Sequence, residues 1–272
     1  MIKTQVIHVP KDISGDVAAK KAALALDDGQ IVGFPTETVY GLAALASNPV
    51  AMKRLRDLKS RPSRPFSVHL GCKSQAKWYV RSMPSEMRRL IDRAWPGPVT
   101  IIAQTHGSFG RDDFNAAGLY EVLTQNDTIG MRCPDEPVTA RMLSAAGGPV
   151  VAPSANLAGK ASPRSAADVL VDLDGKIDML IDTGPTTLGT DSTIVAFRSG
   201  KLELLRLGIY DRDAIISMIR RRYLFVCTGN TCRSPMADGI AKAVLAGRVG
   251  CSVTGLSGRY IEVLSAGPFA GD

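Results

Sequence analysis

The stretch Pro35-Thr36-Glu37-Thr38-Val39-Tyr40-Gly41-Leu42 decides how this chain is interpreted, because it places polar side chains where a core would ordinarily hold apolar ones. It follows the run Ile31-Val32-Gly33-Phe34, which is typical of a buried strand ended by a proline. The octet then offers two hydroxyls and a carboxylate at the carboxyl end of a strand, where open α/β sheets bind ligands. A second interpretation is that Thr36 caps a helix over residues 39–45, with Glu37 in its first turn. On local sequence alone, the helix cap is preferred.

The composition is that of an ordinary globular protein. The chain has 272 residues, of which 45% are hydrophobic and 22% charged, so one large domain or a large domain plus a fragment are both allowed. No apolar run reaches the roughly 18 residues of a membrane span, and the N-terminus lacks a secretory signal, so we expect a cytoplasmic protein without membrane contact. A net charge of +7 suits a polyanionic partner such as a nucleotide or RNA, although many basic proteins bind neither.

The cysteines and histidines do not indicate a metal site or a disulfide framework. The five cysteines are odd in number and irregularly spaced, which predicts reduced thiols. With three histidines and no close cysteine pair at zinc-ligand spacing, no metal site is expected.

The order of predicted elements indicates an α/β fold. A helix over residues 16–28 ends at Gly29, a strand covers residues 30–34, and a second helix opens at Asn48-Pro49. Further strands are predicted over 66–70, 99–104, 128–133, 149–152, 179–182, 192–198 and 201–206, with helices between several of them. The dipeptide Ser199-Gly200 suits a tight hairpin between the last two, so the sheet is predicted to be mixed, with parallel and antiparallel pairs.

A domain boundary is predicted after Gly208. Residues 209–222 read as a helical linker that ends in Arg220-Arg221-Arg222, and a new strand begins at Tyr223. The basic triplet is interpreted as a solvated helix end, with an RNA site as the less favoured interpretation.

Four more polar clusters accompany the octet. They are Lys59-Ser60-Arg61, Ile129-Gly130-Met131-Arg132, Ala152-Pro153-Ser154-Ala155-Asn156 and Gly189-Thr190-Asp191-Ser192-Thr193. Together with the octet and the segments around Ser192 and Arg206, the K-x-R and S-x-N pairs resemble the Sua5/YrdC family of threonylcarbamoyl-AMP synthases over about residues 1–208. The resemblance implies a twisted mixed sheet with flanking helices.

The resemblance also implies an activity. Members of that family join L-threonine, bicarbonate and ATP into threonylcarbamoyl-adenylate with release of pyrophosphate, the first half of making the t6A base of tRNA. The expected partners are therefore ATP with Mg²⁺, L-threonine and bicarbonate, with tRNA and the downstream threonylcarbamoyl-transferase machinery as further candidates.

The candidate nucleotide site is built from basic and hydroxyl side chains. Lys59 and Arg61 can supply a point charge and a bidentate fork to a triphosphate, and we take them as catalytic. Ser154 and Asn156 follow the strand over 149–152, so their side chains are expected at a strand's carboxyl end. By resemblance, the nucleotide site also includes Arg64, where the family commonly has lysine, together with Ser162 and Arg206. Lys59 and Arg61 also have a structural interpretation as a solvated helix end, and Ser154 and Asn156 as an Asx or Ser turn.

The candidate threonine pocket centres on Arg132. Only a guanidinium offers a carboxylate a rigid two-pronged donor, so Arg132 is the natural partner of the amino-acid carboxylate. By resemblance, Thr36, His69 and Ser192 complete the pocket. A lone histidine on a strand is more often structural, and we do not assign His69 as a general base. Phe66 and Ala196 depart from the residues common in the family, leucine and aspartate.

The last fifty residues carry a different motif. The strand over 223–226 is followed by Cys227-Thr228-Gly229-Asn230-Thr231-Cys232-Arg233-Ser234-Pro235 and a predicted helix over about 236–245. In this context a C-x5-R loop can bind a phosphate dianion and lower the pKa of its thiol. The segment resembles low-molecular-weight protein phosphatases, particularly the arginine-phosphatase branch that carries a threonine at the position of Thr231.

That second resemblance implies Cys227 as nucleophile and Arg233 as clamp of the transition state, with Ser234 stabilising the thiolate and Cys232 as a redox partner. The family's aspartate general acid has no match after Arg233. We expect an incomplete strand-loop-helix unit over 223–272 that binds phosphate analogues and turns over poorly. It is expected to dock on the large domain, to pair with another chain, or to be a truncation.

Two alternatives to the synthase remain open at this point. In one, the basic face of the large domain binds double-stranded RNA or tRNA without synthase activity. In the other, the chain is a phosphatase with an accessory large domain.

Overall fold

The computed structural model describes residues 3–10, 15–61, 63–198 and 201–269. These residues form two compact units. Unit 1 contains residues 1–84 and 91–212, and unit 2 contains residues 85–90 and 213–272.

Unit 1 is an α/β structure. Its strands are β1 (Gln5–His8), β2 (Val32–Phe34), β3 (Gly41–Leu45), β4 (Val68–His69), β5 (Val99–Gln104), β6 (Thr128–Arg132), β7 (Val150–Val151), β8 (Met179–Asp182), β9 (Thr193–Arg198) and β10 (Lys201–Arg206). The α-helices of the chain up to residue 173 are α1 (Asp16–Asp27), α2 (Pro49–Leu58), α3 (Ala76–Tyr79), α4 (Ser85–Ala94), α5 (Asp112–Ala116), α6 (Leu119–Leu123), α7 (Pro137–Ala145) and α8 (Ala166–Leu173). The predicted fold class is confirmed.

The strands form one ten-stranded sheet in the order β1-β8-β2-β3-β7-β4-β6-β5-β9-β10. The pairs β1/β8, β2/β8, β4/β6 and β5/β9 are parallel, and the other pairs are antiparallel. The predicted mixed sheet is therefore confirmed, including the antiparallel pairing of the last two strands. The predicted turn at Ser199-Gly200 lies outside the described residues.

The octet does not lead into a helix, so the preferred local interpretation is wrong. Residues 41–45 form β3, which pairs antiparallel with β2, Gly41 lying opposite Phe34. Ala43 and Ala44 are both fully buried in this strand. Alanine has a high intrinsic helix propensity, but pairing on both edges of β3 and burial on both faces outweigh the fraction of a kcal/mol per residue that propensity contributes.

Helices α1 and α7 share one face of the core with the strands β2, β3 and β8. Ala18, Ala22, Ala25 and Leu26 of α1 recur at helical spacing and are buried with Met142 of α7. Small residues on α1 allow close packing on the sheet. Helix α1 ends one residue earlier than the predicted range 16–28.

Helix α2 begins where its sequence predicts. The Asn48 side chain accepts hydrogen bonds from the backbone N–H groups of Val50 and Ala51, each at 3.0 Å, and Pro49 occupies the first turn. The helix ends at Leu58, with Lys59 as its C-cap residue. This places Lys59 and Arg61 just beyond the helix.

Several predicted strands are shorter than expected. The range 66–70 contains only the two-residue β4, and 149–152 contains only the two-residue β7. Strand β1 lies at an edge of the sheet and was not predicted. Its four residues do not alternate between polar and apolar types, and in the structure they are half-buried or exposed.

Unit 2 is a small β-α-β unit. Its elements are α9 (Arg212–Ile219), β11 (Arg221–Val226), α10 (Arg233–Val249), a 3₁₀ segment (Val253–Arg259) and β12 (Ile261–Ala266). The first residue of α9, Arg212, is counted with unit 1. Strands β11 and β12 are parallel. The predicted strand-loop-helix order is confirmed, but the basic triplet is not a helix end. Arg221 and Arg222 lie in β11, where Arg222 Nε donates to Glu262 Oε2 of β12 at 2.7 Å. The cross-strand ion pair explains why charged residues begin this strand.

Within the described residues, none of the helices combines the length and apolarity that a bilayer-spanning helix requires.

Candidate functional site

A cavity of about 210 Å³ in unit 1 collects most of the predicted site residues. Its walls are formed by Thr36, Val39, Tyr40, Gly41, Lys59, Arg61, Phe66, Ser67, His69, Thr100, Arg132, Ala152, Pro153, Ser154, Asp191, Ser192 and Arg206. These residues come from the octet, from the residues after α2, and from the ends of six strands. Four cationic side chains and one carboxylate line the cavity, which suits it to an anionic ligand.

The octet forms a hydroxyl-rich turn at one wall. Thr36 Oγ1 lies 2.9 Å from Thr38 Oγ1 and accepts from the backbone N–H groups of Thr38 and Val39, both at 3.2 Å. It also donates to the Val39 carbonyl at 2.6 Å. The predicted capping geometry is therefore present, but it closes a turn between two strands instead of starting a helix.

Arg132, at the end of β6, is buried and bonded to the octet. Its Nη2 donates to Thr38 Oγ1 at 2.7 Å and to Glu37 Oε1 at 2.9 Å. The Glu37 carboxylate is also buried, and its Oε2 accepts from the backbone N–H of Asp135 at 3.1 Å. Removing one partner of such a buried pair costs about 3–5 kcal/mol, because the other charge is left uncompensated. Sequence reasoning named Arg132 and missed this partner.

One buried donor of Arg132 has no partner among the described residues. Arg132 is only 5% exposed, and its Nε has no hydrogen-bond partner among the described residues. A buried unpaired donor costs about 1–3 kcal/mol, which a ligand oxygen would recover.

His69, at the end of β4, is held as a neutral imidazole. Burial, and then the positive charge of Arg132, lower the pKa of His69 to about 3. Its Nδ1 lies 3.3 Å from the Ser67 carbonyl oxygen, which can only accept, so the neutral ring donates from Nδ1 and keeps Nε2 as its acceptor.

Ser192 joins the last two strands of the sheet to β5. Its Oγ lies 2.9 Å from Thr100 Oγ1, and Arg206 Nη2 donates to the same Oγ at 3.0 Å. Arg206 also donates to the Ser192 carbonyl, from Nη2 at 2.8 Å and from Nε at 3.1 Å. Thr100 was missed by sequence reasoning, although a hydroxyl within the otherwise apolar start of β5 was a usable signal.

Lys59 is held by the loop that follows β7. Its Nζ donates to the carbonyls of Ser154 and Asn156 at 2.9 and 2.6 Å, and to Asn156 Oδ1 at 2.8 Å. Ser154 Oγ donates to the same amide oxygen at 2.6 Å. Burial, and then the nearby charge of Arg61, lower the pKa of Lys59 to about 8. The K-x-R and S-x-N pairs are thus in direct contact.

The other predicted nucleotide residues are placed less uniformly. Arg61 lines the cavity with its guanidinium 5.6 Å from the centre of the Phe66 ring, whereas Arg64 is exposed and outside the lining. Asn156 is buried and contacts Lys59 instead of lining the cavity. Ser162 lines a neighbouring cavity of about 680 Å³, and its hydroxyl donates to Asp191 Oδ1 at 3.1 Å. Asp191 lines both cavities.

No metal centre is formed among the residues that the structure describes, since no three His, Cys, Asp or Glu side chains there are grouped to hold an ion.

Unit 2 holds the second predicted site. Cys227 Sγ lies 2.9 Å from Ser234 Oγ, and the same hydroxyl oxygen lies 2.8 Å from Asn230 Oδ1. The hydrogen bond from Ser234, supported by backbone N–H groups of the loop, lowers the pKa of the Cys227 thiol to about 7. Arg233 is the first residue of α10, and both it and Cys232 are exposed.

Residues 24–208 match the model of the Sua5/YciO/YrdC family, which carries the description "Telomere recombination". The chain belongs to this family. Residues 222–272 match the model of low-molecular-weight phosphotyrosine protein phosphatases.

Curated members of the family are similar to the chain over most of its length. The threonylcarbamoyl-AMP synthase of Bacillus subtilis is 36% identical over 215 residues, which cover 78% of the chain and 60% of that protein. The synthase of Pyrococcus abyssi is also 36% identical, over 73% of the chain and 57% of that protein. The chain thus spans less than two thirds of these two relatives. The synthase of Halorhodospira halophila is 32% identical over 67% of the chain and 90% of its own length.

Solved structures of the family share the fold. P. abyssi Sua5 complexed with L-threonine superposes with a TM-score of 0.69 at 24% identity, over 97% of the chain and 92% of that structure. Escherichia coli YciO superposes with a TM-score of 0.65 at 22% identity, over 79% of the chain and all of that structure.

Proposed function

We propose that the protein is an L-threonylcarbamoyladenylate synthase, a nucleotidyltransferase that joins L-threonine, bicarbonate and ATP. The observation that carries the proposal is the single cavity where a half-buried lysine, an orphaned guanidinium donor and a ring of hydroxyls meet. Curated synthases at 30–36% identity support the same conclusion.

The amino acid is assigned to the wall made by Thr36, His69, Arg132 and Ser192. The Nε donor of Arg132, which has no partner among the described residues, is assigned to an oxygen of the substrate carboxylate. The neutral imidazole of His69 can accept from the substrate amine through Nε2, which favours the uncharged amine needed for attack. The cavity of about 210 Å³ limits the size of the amino acid and the water around it.

The nucleotide is assigned to Lys59, Arg61, Ser154 and Arg206, with Asn156 and Ser162 behind them. Lys59 Nζ makes three hydrogen bonds to the loop over residues 154–156, which accounts for all three ammonium hydrogens. To bind a phosphate oxygen, Lys59 must therefore give up at least one of these hydrogen bonds. Mg²⁺ would arrive with ATP as part of the substrate, and Asp191 is the carboxylate that lines the cavity.

The chemistry then has two steps. The amine nitrogen attacks the carbon of CO₂, formed from bicarbonate by loss of hydroxide, and releases a proton to give a carbamate. A carbamate oxygen attacks the α-phosphorus in line, and the bond to the β-phosphate oxygen breaks as pyrophosphate leaves with that electron pair. The positioning of the substrates and the positive charge of the cavity are expected to supply most of the rate enhancement. The cavity is lined by charged and hydroxyl side chains, and its one imidazole is neutral.

The labile product would be consumed by a threonylcarbamoyl-transferase that modifies tRNA, and both are proposed as partners. No contact among the described residues favours double-stranded RNA binding without synthesis, so that alternative stays a prediction.

An isotope experiment tests the proposal. The full chain is incubated with Mg-ATP, threonine and ¹³C-bicarbonate, and the product is analysed by mass spectrometry. Threonylcarbamoyl-AMP carrying one ¹³C is expected, and it should disappear when threonine is omitted. An adenylate that forms without the label, or no product, would contradict it.

A second activity is favoured by one observation, the lowered thiol pKa of Cys227. We propose that the Cys227–Arg233 loop binds phosphate analogues and hydrolyses phosphate esters slowly. In the described residues after Arg233, the two carboxylates Asp238 and Glu262 are ion-paired with Lys242 and with Arg220 and Arg222. A free general acid is therefore missing there, and fast aryl phosphate hydrolysis that Cys227→Ser abolishes would contradict slow turnover.

A further inference from the structure

Glu37 is the one carboxylate of the octet, and both of its oxygens are used. Oε1 accepts from Arg132 Nη2 at 2.9 Å, and Oε2 accepts from the Asp135 backbone N–H at 3.1 Å. Its backbone carbonyl accepts from the Leu188 N–H at 2.8 Å and from the Thr187 hydroxyl at 3.2 Å. The residue is thereby tied to two other segments of unit 1, residues 132–135 and residues 187–188.

The ion pair takes up one of the hydrogen-bond donors of Arg132. Both hydrogens of Nη2 are used, one by Glu37 and one by Thr38. The Nε hydrogen is buried and has no partner among the described residues. Without the carboxylate, the guanidinium would lose its counter-charge and one of the two hydrogen bonds that hold Nη2.

The ion pair also separates two cavities. Arg132 lines the site cavity, whereas Glu37 lines a cavity of about 560 Å³ on the other side, and Thr36 lines both. Glu37 is therefore placed behind Arg132 and does not line the site cavity itself.

We infer that Glu37 is a positioning residue for the amino-acid substrate: it holds Arg132 so that the Nε donor serves the substrate carboxylate. The inference rests on the proposed function. It assigns the octet's carboxylate a role in amino-acid affinity, separate from nucleotide affinity.

The test compares Glu37→Gln with a matched control in the full chain. Glu136→Gln makes the same chemical change at a half-buried residue that lines the larger cavity with Glu37, and the hydrogen bonds and ion pair of Arg132 go to Glu37 and Thr38 and not to Glu136. KM values for threonine and for ATP are measured from pyrophosphate release. Glu37→Gln is expected to raise the threonine KM roughly tenfold or more, since it removes a charge-assisted hydrogen bond, and to change the ATP KM less than about twofold. The control should leave both within about twofold.

A double-mutant cycle separates positioning from folding. In an Arg132→Gln background, Glu37→Gln should have no further effect on threonine affinity, measured by calorimetry, because its effect passes through Arg132. The double variant removes both charges, which keeps the test usable if Glu37→Gln alone folds poorly. Glu37→Asp keeps the charge with a shorter reach and should give an intermediate threonine KM.

The outcomes are distinguishable. A wild-type protein without threonine-dependent pyrophosphate release overturns the proposed function, and this inference with it. An active wild type whose threonine KM is unchanged by Glu37→Gln overturns the inference alone. Equal increases in both KM values, or additive effects in the cycle, would also overturn it.

Discussion

Lys59 lies at a half-buried position where its charge is costly without a ligand. Burial lowers its pKa to about 8, so the free protein begins to lose this charge just above neutral pH. A bound triphosphate favours the charged ammonium and raises its pKa again. Affinity for ATP is therefore linked to the protonation of this one side chain.

We predict that ATP binds more weakly as the pH rises through about 8. Between pH 8 and 9.5 the free protein must take up a proton at Lys59 to bind, so the Kd should rise by up to about tenfold per pH unit. Calorimetric titration with Mg-ATP from pH 7 to 9.5 measures this. In Lys59→Arg the guanidinium stays charged and the slope should vanish, whereas a flat wild-type profile would contradict the assignment.

Cys227 is predicted to react as a thiolate near neutral pH. The hydrogen bond from Ser234 is the largest cause of its lowered pKa, about 7, so Ser234→Ala should move the midpoint of alkylation upward, toward the ordinary value of 9. Iodoacetamide labelling against pH, read by mass spectrometry at each cysteine, checks this. Cys232 in the same peptide is the internal control, and an unchanged midpoint at Cys227 would contradict the role of Ser234.

The antiparallel pairing of β2 and β3 positions the octet and depends on close contact across the pair. A Cβ on Gly41 would lie 2.5 Å from Phe34 Cζ, and the Phe34 ring is fully buried. The ring has little room to move, because interiors are closely packed. Strand β3 therefore requires a glycine at its first residue.

We predict that Gly41→Ala destabilises unit 1 by about 1–3 kcal/mol, as overpacking does. Gly148→Ala is the control, because its Cβ would lie at an ordinary 3.5 Å from Leu45 Cδ1 in the same unit. Urea unfolding followed by circular dichroism compares the two. Equal stability of both variants would contradict the packing argument.

Local patterns recovered most elements but not the path of the octet. The cap of α2 by Asn48 is a contact between neighbours in sequence, so the sequence predicts it. The strand over residues 41–45 exists because of pairing with β2 and β7, and β7 lies more than a hundred residues away. An alanine-rich segment cannot reveal such pairing, since its local preference is helical.

At the scale of the molecule, the site is assembled from segments between residues 36 and 206. The residue types at Lys59, Arg132 and Ser154 were predictable, because each matches a family motif in order along the chain. Their contacts were not. The pairing of Arg132 with Glu37, 95 residues apart, and the support of Lys59 by Asn156 depend on the sheet order. Sequence spacing carries no information about such neighbours.

Two kinds of phosphate chemistry are proposed, one for each unit. Unit 1 is proposed to release pyrophosphate from ATP, and unit 2 holds a thiol with a pKa of about 7 in a phosphatase-like loop. The synthase proposal requires Lys59 and does not require Cys227, whereas the phosphatase proposal requires Cys227. One assay with variants of these two residues therefore separates the proposals.

Pyrophosphate release from Mg-ATP, with and without threonine and bicarbonate, tests the central claim most directly. Wild-type protein and Cys227→Ser should release pyrophosphate at the same rate, and only when both co-substrates are present. Lys59→Ala should reduce that rate by about a hundredfold or more, because it removes a buried charge that acts on the transferred phosphates. Release that does not require threonine, or that Cys227→Ser abolishes and Lys59→Ala leaves intact, would contradict the account.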